Sequence, residues 1–197
     1  EKEDPELELK LVALNALLNM DAEKAFPILE KIVREDKSPK LREKAIFVLS
    51  QSDDPKVIPL MFEVATKDPD MKVREMAIFW LGQKKDEKAL DLLLQLYDKE
   101  TDEKIKERLI FAFAENKSKK TSDKLFDIAK NDKDLTARER AIFWLGERKE
   151  EGTIELLVKL YDSETDPKIK DRLVFAFSQS ENPKAWDKLL TIAQNDK

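Results

Sequence analysis

The side chains best suited to act on another molecule are five phenylalanines at one register. Phe47, Phe79, Phe111, Phe143 and Phe175 follow one another at a constant step of 32 residues. An acid stands four residues before each and an amide or acid four residues after. The triplets are Glu43/Phe47/Gln51, Glu75/Phe79/Gln83, Glu107/Phe111/Glu115, Glu139/Phe143/Glu147 and Asp171/Phe175/Gln179. That spacing places each triplet on one face of a helix. A stripe of aromatic rings between carboxylate rows would receive apolar side chains of a protein or peptide segment. The carboxylates would orient the partner and disfavour acidic ones.

Other chemistries find little support. The chain has no His and no Cys, which removes the usual general base, the thiolate nucleophile, the common zinc sites and disulfides. The strings Asp98-Lys99-Glu100-Thr101-Asp102 and Asp162-Ser163-Glu164-Thr165-Asp166 offer alternating oxygens. They lack the Gly and distal Glu of a calcium loop, so helix capping explains them better. A net charge of -5 with a pI near 5.2 argues against gripping nucleic acid, whose affinity comes mainly from Lys and Arg at phosphates. No segment approaches the roughly 20 apolar residues of a membrane span, and the start carries no signal-peptide pattern. The expected partner is therefore another protein, and no cofactor or metal is expected.

The elements that must position the phenylalanines are also legible. The chain is 40% charged, with three Gly and eight Pro in 197 residues, a composition of helices with solvated faces. The runs Ala45-Ile46-Phe47, Ala77-Ile78-Phe79, Leu109-Ile110-Phe111, Ala141-Ile142-Phe143 and Leu173-Val174-Phe175 repeat at the 32-residue step, with a weaker copy, Ala13-Leu14-Asn15, upstream. Leu29, Met61, Leu93, Leu125, Leu157 and Leu189 form a second series, each followed three residues later by an apolar residue. Periods of this length mark stacked two-helix units. Asp4-Pro5, Ser38-Pro39, Asp54-Pro55, Asp166-Pro167 and Asn182-Pro183 each supply an N-cap acceptor and a proline at the first helical position. Asp70, Asp102 and Asp134 hold the same cap position elsewhere. The expected units resemble 55–67 followed by 71–83.

These residues carry a family resemblance. A turn Asp, then a hydrophobic residue and Arg, then a small apolar run and Gly, as in Asp68, Val73-Arg74, Ala77-Ile78 and Leu81-Gly82, resembles the HEAT repeat. It resembles in particular the short bacterial variety related to bilin-lyase HEAT-like repeats, and the likeness covers nearly the whole chain. Pro27 and Pro59 resemble the proline inside the first HEAT helix, but Asp91, Asp123, Glu155 and Asp187 stand there in later units. The resemblance implies an all-α solenoid, an α-α superhelix of about six two-helix repeats, with the second helices lining a concave face. It implies binding more often than catalysis and supplies no catalytic residue. It also suggests a ladder of contacts between units built from Asp36/Arg42, Asp68/Arg74, Glu100/Lys106, Asp132/Arg138 and Glu164/Lys170. Units bearing Lys should be less tightly tied, since Lys cannot bridge bidentately. HEAT-like enzymes, the DNA glycosylases and bilin lyases, are weaker readings, because the expected groove is acidic and mixed. An idealised array without a natural partner is the other alternative. Missing Cys and His favours it, while the irregular stretch 117–122 favours a natural origin.

A longer period lies beneath the short one. Trp80 and Trp144 alternate with Ala112 and Ala176, and Tyr97 and Tyr161 alternate with Ala65, Ala129 and Ala193, as after duplication of a two-repeat unit. Close packing explains the alternation, a large side chain in one layer meeting a small one in the next. Advancing about 100° per residue from Val73 puts the core direction near 40° and Phe79 near 240°. Each Phe then points away from its own helix pair, either into the open or into the groove beside the next unit. Lys44, Arg108, Arg140 and Arg172 follow the triplet acids directly, with Met76 the exception, so acids and bases can pair laterally. The chain reads as one array, residues 1–197, cut from something longer. A lone second-type helix at about 5–19 carries Leu7, Leu11 and Leu14, a lone first-type helix at about 183–195 carries Trp186, Leu189 and Leu190, and all six expect further partners.

Overall fold

The computed structural model describes residues 5–148 and 152–195, with side chains for all of these except 5–7, 11, 22 and 195. The described residues form twelve helices and no strand: α1 (Pro5–Met20), α2 (Ala22–Glu35), α3 (Pro39–Ser50), α4 (Val57–Lys67), α5 (Met71–Gln83), α6 (Glu87–Lys99), α7 (Glu103–Glu115), α8 (Lys119–Asn131), α9 (Leu135–Glu147), α10 (Thr153–Ser163), α11 (Pro167–Ser178) and α12 (Pro183–Asn195). They fall into two compact units, residues 1–112 and 113–197, with the boundary inside α7. In the first unit α1 packs against the pair α2/α3, the pair α4/α5 packs against α2/α3 in turn, and α6 and most of α7 follow. The second contains the pairs α8/α9 and α10/α11 and then α12.

Capping sets the helix starts. Asp70 Oδ1 accepts from the backbone N–H groups of Lys72 (2.9 Å) and Val73 (3.3 Å), Asp102 from Lys104 and Ile105, and Asp166 from Lys168 and Ile169. Each side chain satisfies donors that the first turn leaves without a partner. One start differs from expectation. Asp54-Pro55 does not open a helix; α4 begins at Val57, whose N–H goes to the Asp54 carbonyl at 3.0 Å. Asp54 Oδ1 holds the Lys56 N–H at 2.8 Å instead, so cap and proline form a separate turn before the helix. Pro27 lies inside α2, as the family pattern requires.

The core is the pair of periodic series. Ala45, Ile46, Ala77, Ile78, Leu109, Ile110, Ala141, Ile142 and Leu173 are fully buried, and so are Leu29, Met61 and Leu93 from the first-type helices. At about 25 cal/mol per Å², each such Leu or Ile contributes roughly 1.5–3 kcal/mol. The 64-residue alternation is visible in the packing. Gly82 and Gly146 meet the alanines. A Cβ added at Gly82 would stand 2.9 Å from Ala112 Cβ, and one at Gly146 would stand 3.0 Å from Ala176 Cβ. Glycine thus lets α5 approach α7, and α9 approach α11, by the width of a methyl group.

The end helices expose apolar side chains to different degrees. Leu14 is buried, Leu189 half-buried, and Trp186 and Leu190 are exposed. The side chains of Leu7 and Leu11 lie outside the described residues. No helix among the described residues is long and apolar enough to cross a membrane.

Candidate functional site

The phenylalanine row is built by second-type helices, which bury the Ala-Ile or Leu-Ile pair before Phe47, Phe79, Phe111 and Phe143, and Leu173 before Phe175, and so turn the ring outward. In the first unit, Phe47 (α3) is 46% exposed, whereas Phe79 (α5) and Phe111 (α7) are half-buried. In the second unit, Phe143 (α9) is half-buried and Phe175 (α11) is 45% exposed. Neither of the two expected placements holds throughout. Two of the rings are open and three are half-covered.

The sequence did not place tryptophan in this row, yet Trp80 belongs to it. Its ring centroid lies 5.3 Å from Phe47 of the preceding pair and 5.0 Å from Phe79, the second contact edge-to-face. Phe143 and Trp144 repeat the edge-to-face contact at 5.1 Å. Such offset arrangements suit the ring quadrupoles. The Trp80 indole N–H is buried without a hydrogen-bond acceptor, so packing alone holds that ring. The sequence signal was present in the 64-residue step between Trp80 and Trp144, each directly following a row phenylalanine.

The flanking charges pair laterally, as their alternation suggested. The Arg108 guanidinium sits 5.9 Å from the ring centres of both Phe79 and Phe111 and 3.9 Å from the Glu75 carboxylate. Arg172 lies 5.7 Å from the Phe175 ring and 3.8 Å from Glu139. Lys44 pairs with Glu8 of α1. Each arginine thus combines a cation–π contact with an acid of the preceding second-type helix. Glu43, Glu75 and Glu139 are half-buried, and Glu107 and Asp171 are exposed.

The turn edge of the same helices is occupied by structure. Arg42 reaches Asp68 of the next pair with two 2.8 Å hydrogen bonds, from Nε and Nη2, and donates a third to the Asp36 carbonyl at 2.7 Å. Hydrogen bonding to Asp68, opposed by burial, raises the Arg42 pKa. Arg138 pairs likewise with Glu164. Burial works to raise the Glu164 pKa, but the N–H groups of Asp166 and Thr165 together with Arg138 outweigh it and hold the carboxyl below the usual range. The expected ladder breaks at Arg74, however. Arg74 turns back to the carbonyl of Asp68 at 2.8 Å. Lys106 and Lys170 lie over the rings of Tyr97 and Tyr161, at 5.1 and 5.2 Å. A groove of about 610 Å³ runs beside Arg34, Arg42, Glu63 and Asp68; with Arg34 bound to Glu30 and Glu63, it offers an anion no unpaired arginine.

A second set of ties went unread in the sequence. Buried Arg148 donates to the carbonyls of Phe113 (2.6 Å) and Asn116 (2.7 Å) and to Thr121 Oγ1 (3.2 Å), closing the end of α7. Lys84, 64 residues earlier, donates to the Ser52 carbonyl at 2.7 Å. The 64-residue recurrence of a cation just past a second-type helix was the available signal.

Comparison with known proteins agrees with this architecture. The family model for HEAT repeats matches residues 26–114 and 122–197. Human deoxyhypusine hydroxylase, solved in complex with glycerol, is similar at 18% identity and a TM-score of 0.47, over 99% of this chain and 76% of that one. The complex of CpcE and CpcF of phycocyanin lyase from Nostoc is similar at 15% identity and a TM-score of 0.39, over 98% and 91%. A de novo designed 16-helix transmembrane nanopore aligns at 19% identity and a TM-score of 0.19, over 98% and 59%. No curated protein matches the sequence.

Proposed function

The chain belongs to the HEAT repeat family, and from that premise we propose that it is a non-catalytic scaffold that holds a segment of another protein along the phenylalanine face. The observation supporting this reading is the row itself. Half-open rings at one register, on helices whose cores are already complete, leave apolar surface that folding does not need. Apolar anchors of the partner would supply most of the affinity. Glu43, Glu75, Glu107, Glu139 and Asp171 would orient it. Asn15 takes the place of Phe on α1, so that end of the face should contribute least.

The test is selection of peptides from a random displayed library on the whole chain, followed by measurement with the variant carrying Phe79→Ser, Phe111→Ser and Phe143→Ser. Selected peptides should lose binding to the triple variant while its helical circular dichroism persists. If the triple variant unfolds, the rings are inter-repeat core and the reading fails. If it folds and still binds, the partner uses another face.

A further inference from the structure

We propose that the step between α3 and α5 is a receptor slot for an arginine side chain of the bound partner; this rests on the partner-binding reading above and names the chemistry of one anchor. The chain supplies its own template for the slot. In the step from α5 to α7, Arg108 lies over the rings of Phe79 and Phe111 and against Glu75. In the step from α9 to α11, Arg172 lies over Phe175 and against Glu139. By the 32-residue register, the same place between α3 and α5 belongs to Met76, which carries no charge. Phe47 and Phe79 flank the step, and Glu43 stands where Glu75 and Glu139 stand in the other two. Trp80 stands against both rings, at the register that Ala112 and Ala176 hold in the other two steps.

Two observations mark this step as lacking its cation. Glu43 forms no ion pair among the described residues, although its counterparts Glu75 and Glu139 each face an arginine. Phe47 remains 46% exposed although a full helix pair follows it in the stack. A planar guanidinium matches both halves of the slot, since it stacks on aromatic faces and meets a carboxylate through its edge. An ammonium, more strongly hydrated and without a flat face, fits less well. The occupant is therefore an arginine of a protein segment whose neighbouring apolar residues rest on Phe79 and Phe111.

The test follows the three indole N–H signals of the full-length chain by nitrogen-15 NMR, with Trp80 assigned from Trp80→Phe. N-acetyl-arginine amide is the probe, and N-acetyl-citrulline amide, nearly the same shape without the charge, is the control. The arginine amide should shift the Trp80 signal saturably in the millimolar range and leave that of Trp186 in place, and citrulline amide should not. Glu43→Gln should weaken the response about tenfold, in line with loss of one charged hydrogen bond. Met76→Arg, which fills the slot from within, should abolish it. A silent Trp80 signal, an equal response to citrulline amide, or a response retained in Met76→Arg overturns the proposal. Peptides that need Phe79 but bind Met76→Arg undiminished would sink the slot and leave the wider reading standing. Arginine amide binding as stated, without any peptide that needs Phe79, would do the reverse.

Discussion

The turn edge and the phenylalanine face run along the same helices and use the same residue types, yet they are built to different ends. At the turn edge, Arg42 and Asp68 have side chains only 7% and 4% exposed and meet through two 2.8 Å bonds. On the face, Arg108 and Glu75 are 36% and 26% exposed and stand 3.9 Å apart. A buried pair is strongly coupled, because removing one partner leaves a charge stranded in low dielectric. A half-open pair is screened by water and contributes little. Burial rather than charge type therefore separates a structural tie from a surface whose pairings another molecule can replace.

The most severe way to break this contrast is to strand a charge on each side. Arg42→Ala should destabilise the chain by about 3–5 kcal/mol, read as a lower urea midpoint. Arg108→Ala should cost no more than about 1 kcal/mol. Equal losses would mean that the face is as structural as the edge. A step smaller, Gly82→Ala forces a methyl to within 2.9 Å of Ala112 Cβ and should cost about 1–3 kcal/mol by overpacking. Adding Ala112→Gly should restore much of it, because the missing methyl reopens the gap. If the second change only adds to the loss, the two helices do not meet there.

Acid sharpens the comparison further. The Glu164 carboxyl is held below its ordinary range despite burial, by two backbone N–H groups and Arg138. A depressed folded pKa means that its stabilisation is complete above the unfolded value and is lost as pH falls toward the folded one. Urea midpoints should therefore drop as pH falls below the ordinary glutamate range, and Glu164→Gln should make that drop shallower.

Much of this was legible before the structure. Strict 32-residue spacing, with Asp70, Asp102 and Asp166 at fixed cap positions, determined the helix pairs, because caps and apolar periodicity are local signals. Asp54-Pro55 misled for a local reason too, since an Asp-Pro start and an Asp-Pro turn have the same sequence. The tertiary ties were harder to read. Arg42 and Arg74 occupy one register, yet Arg42 bridges to the next pair while Arg74 bonds its own turn. Side-chain reach and the identity of the facing residue decide among these, and neither appears in a spacing. The five phenylalanines were found by register, but their half-open state depends on Trp80 and Arg108, which the row pattern did not include.

The smallest expected effect tests whether the face is held by packing alone. The Trp80 indole N–H is buried without an acceptor, and an unmet buried donor costs about 1–3 kcal/mol. Trp80→Phe removes that donor while keeping an aromatic ring against Phe47 and Phe79. It also gives up part of the indole surface, a loss of similar size at about 25 cal/mol per Å². The two terms oppose each other, so the net change should lie within about 1 kcal/mol, far below that of Arg42→Ala. A thermal melt of the variant checks this directly. A loss of several kcal/mol would mean that the indole is paired in solution after all, and the face would then owe its shape to a hydrogen bond as the turn edge does.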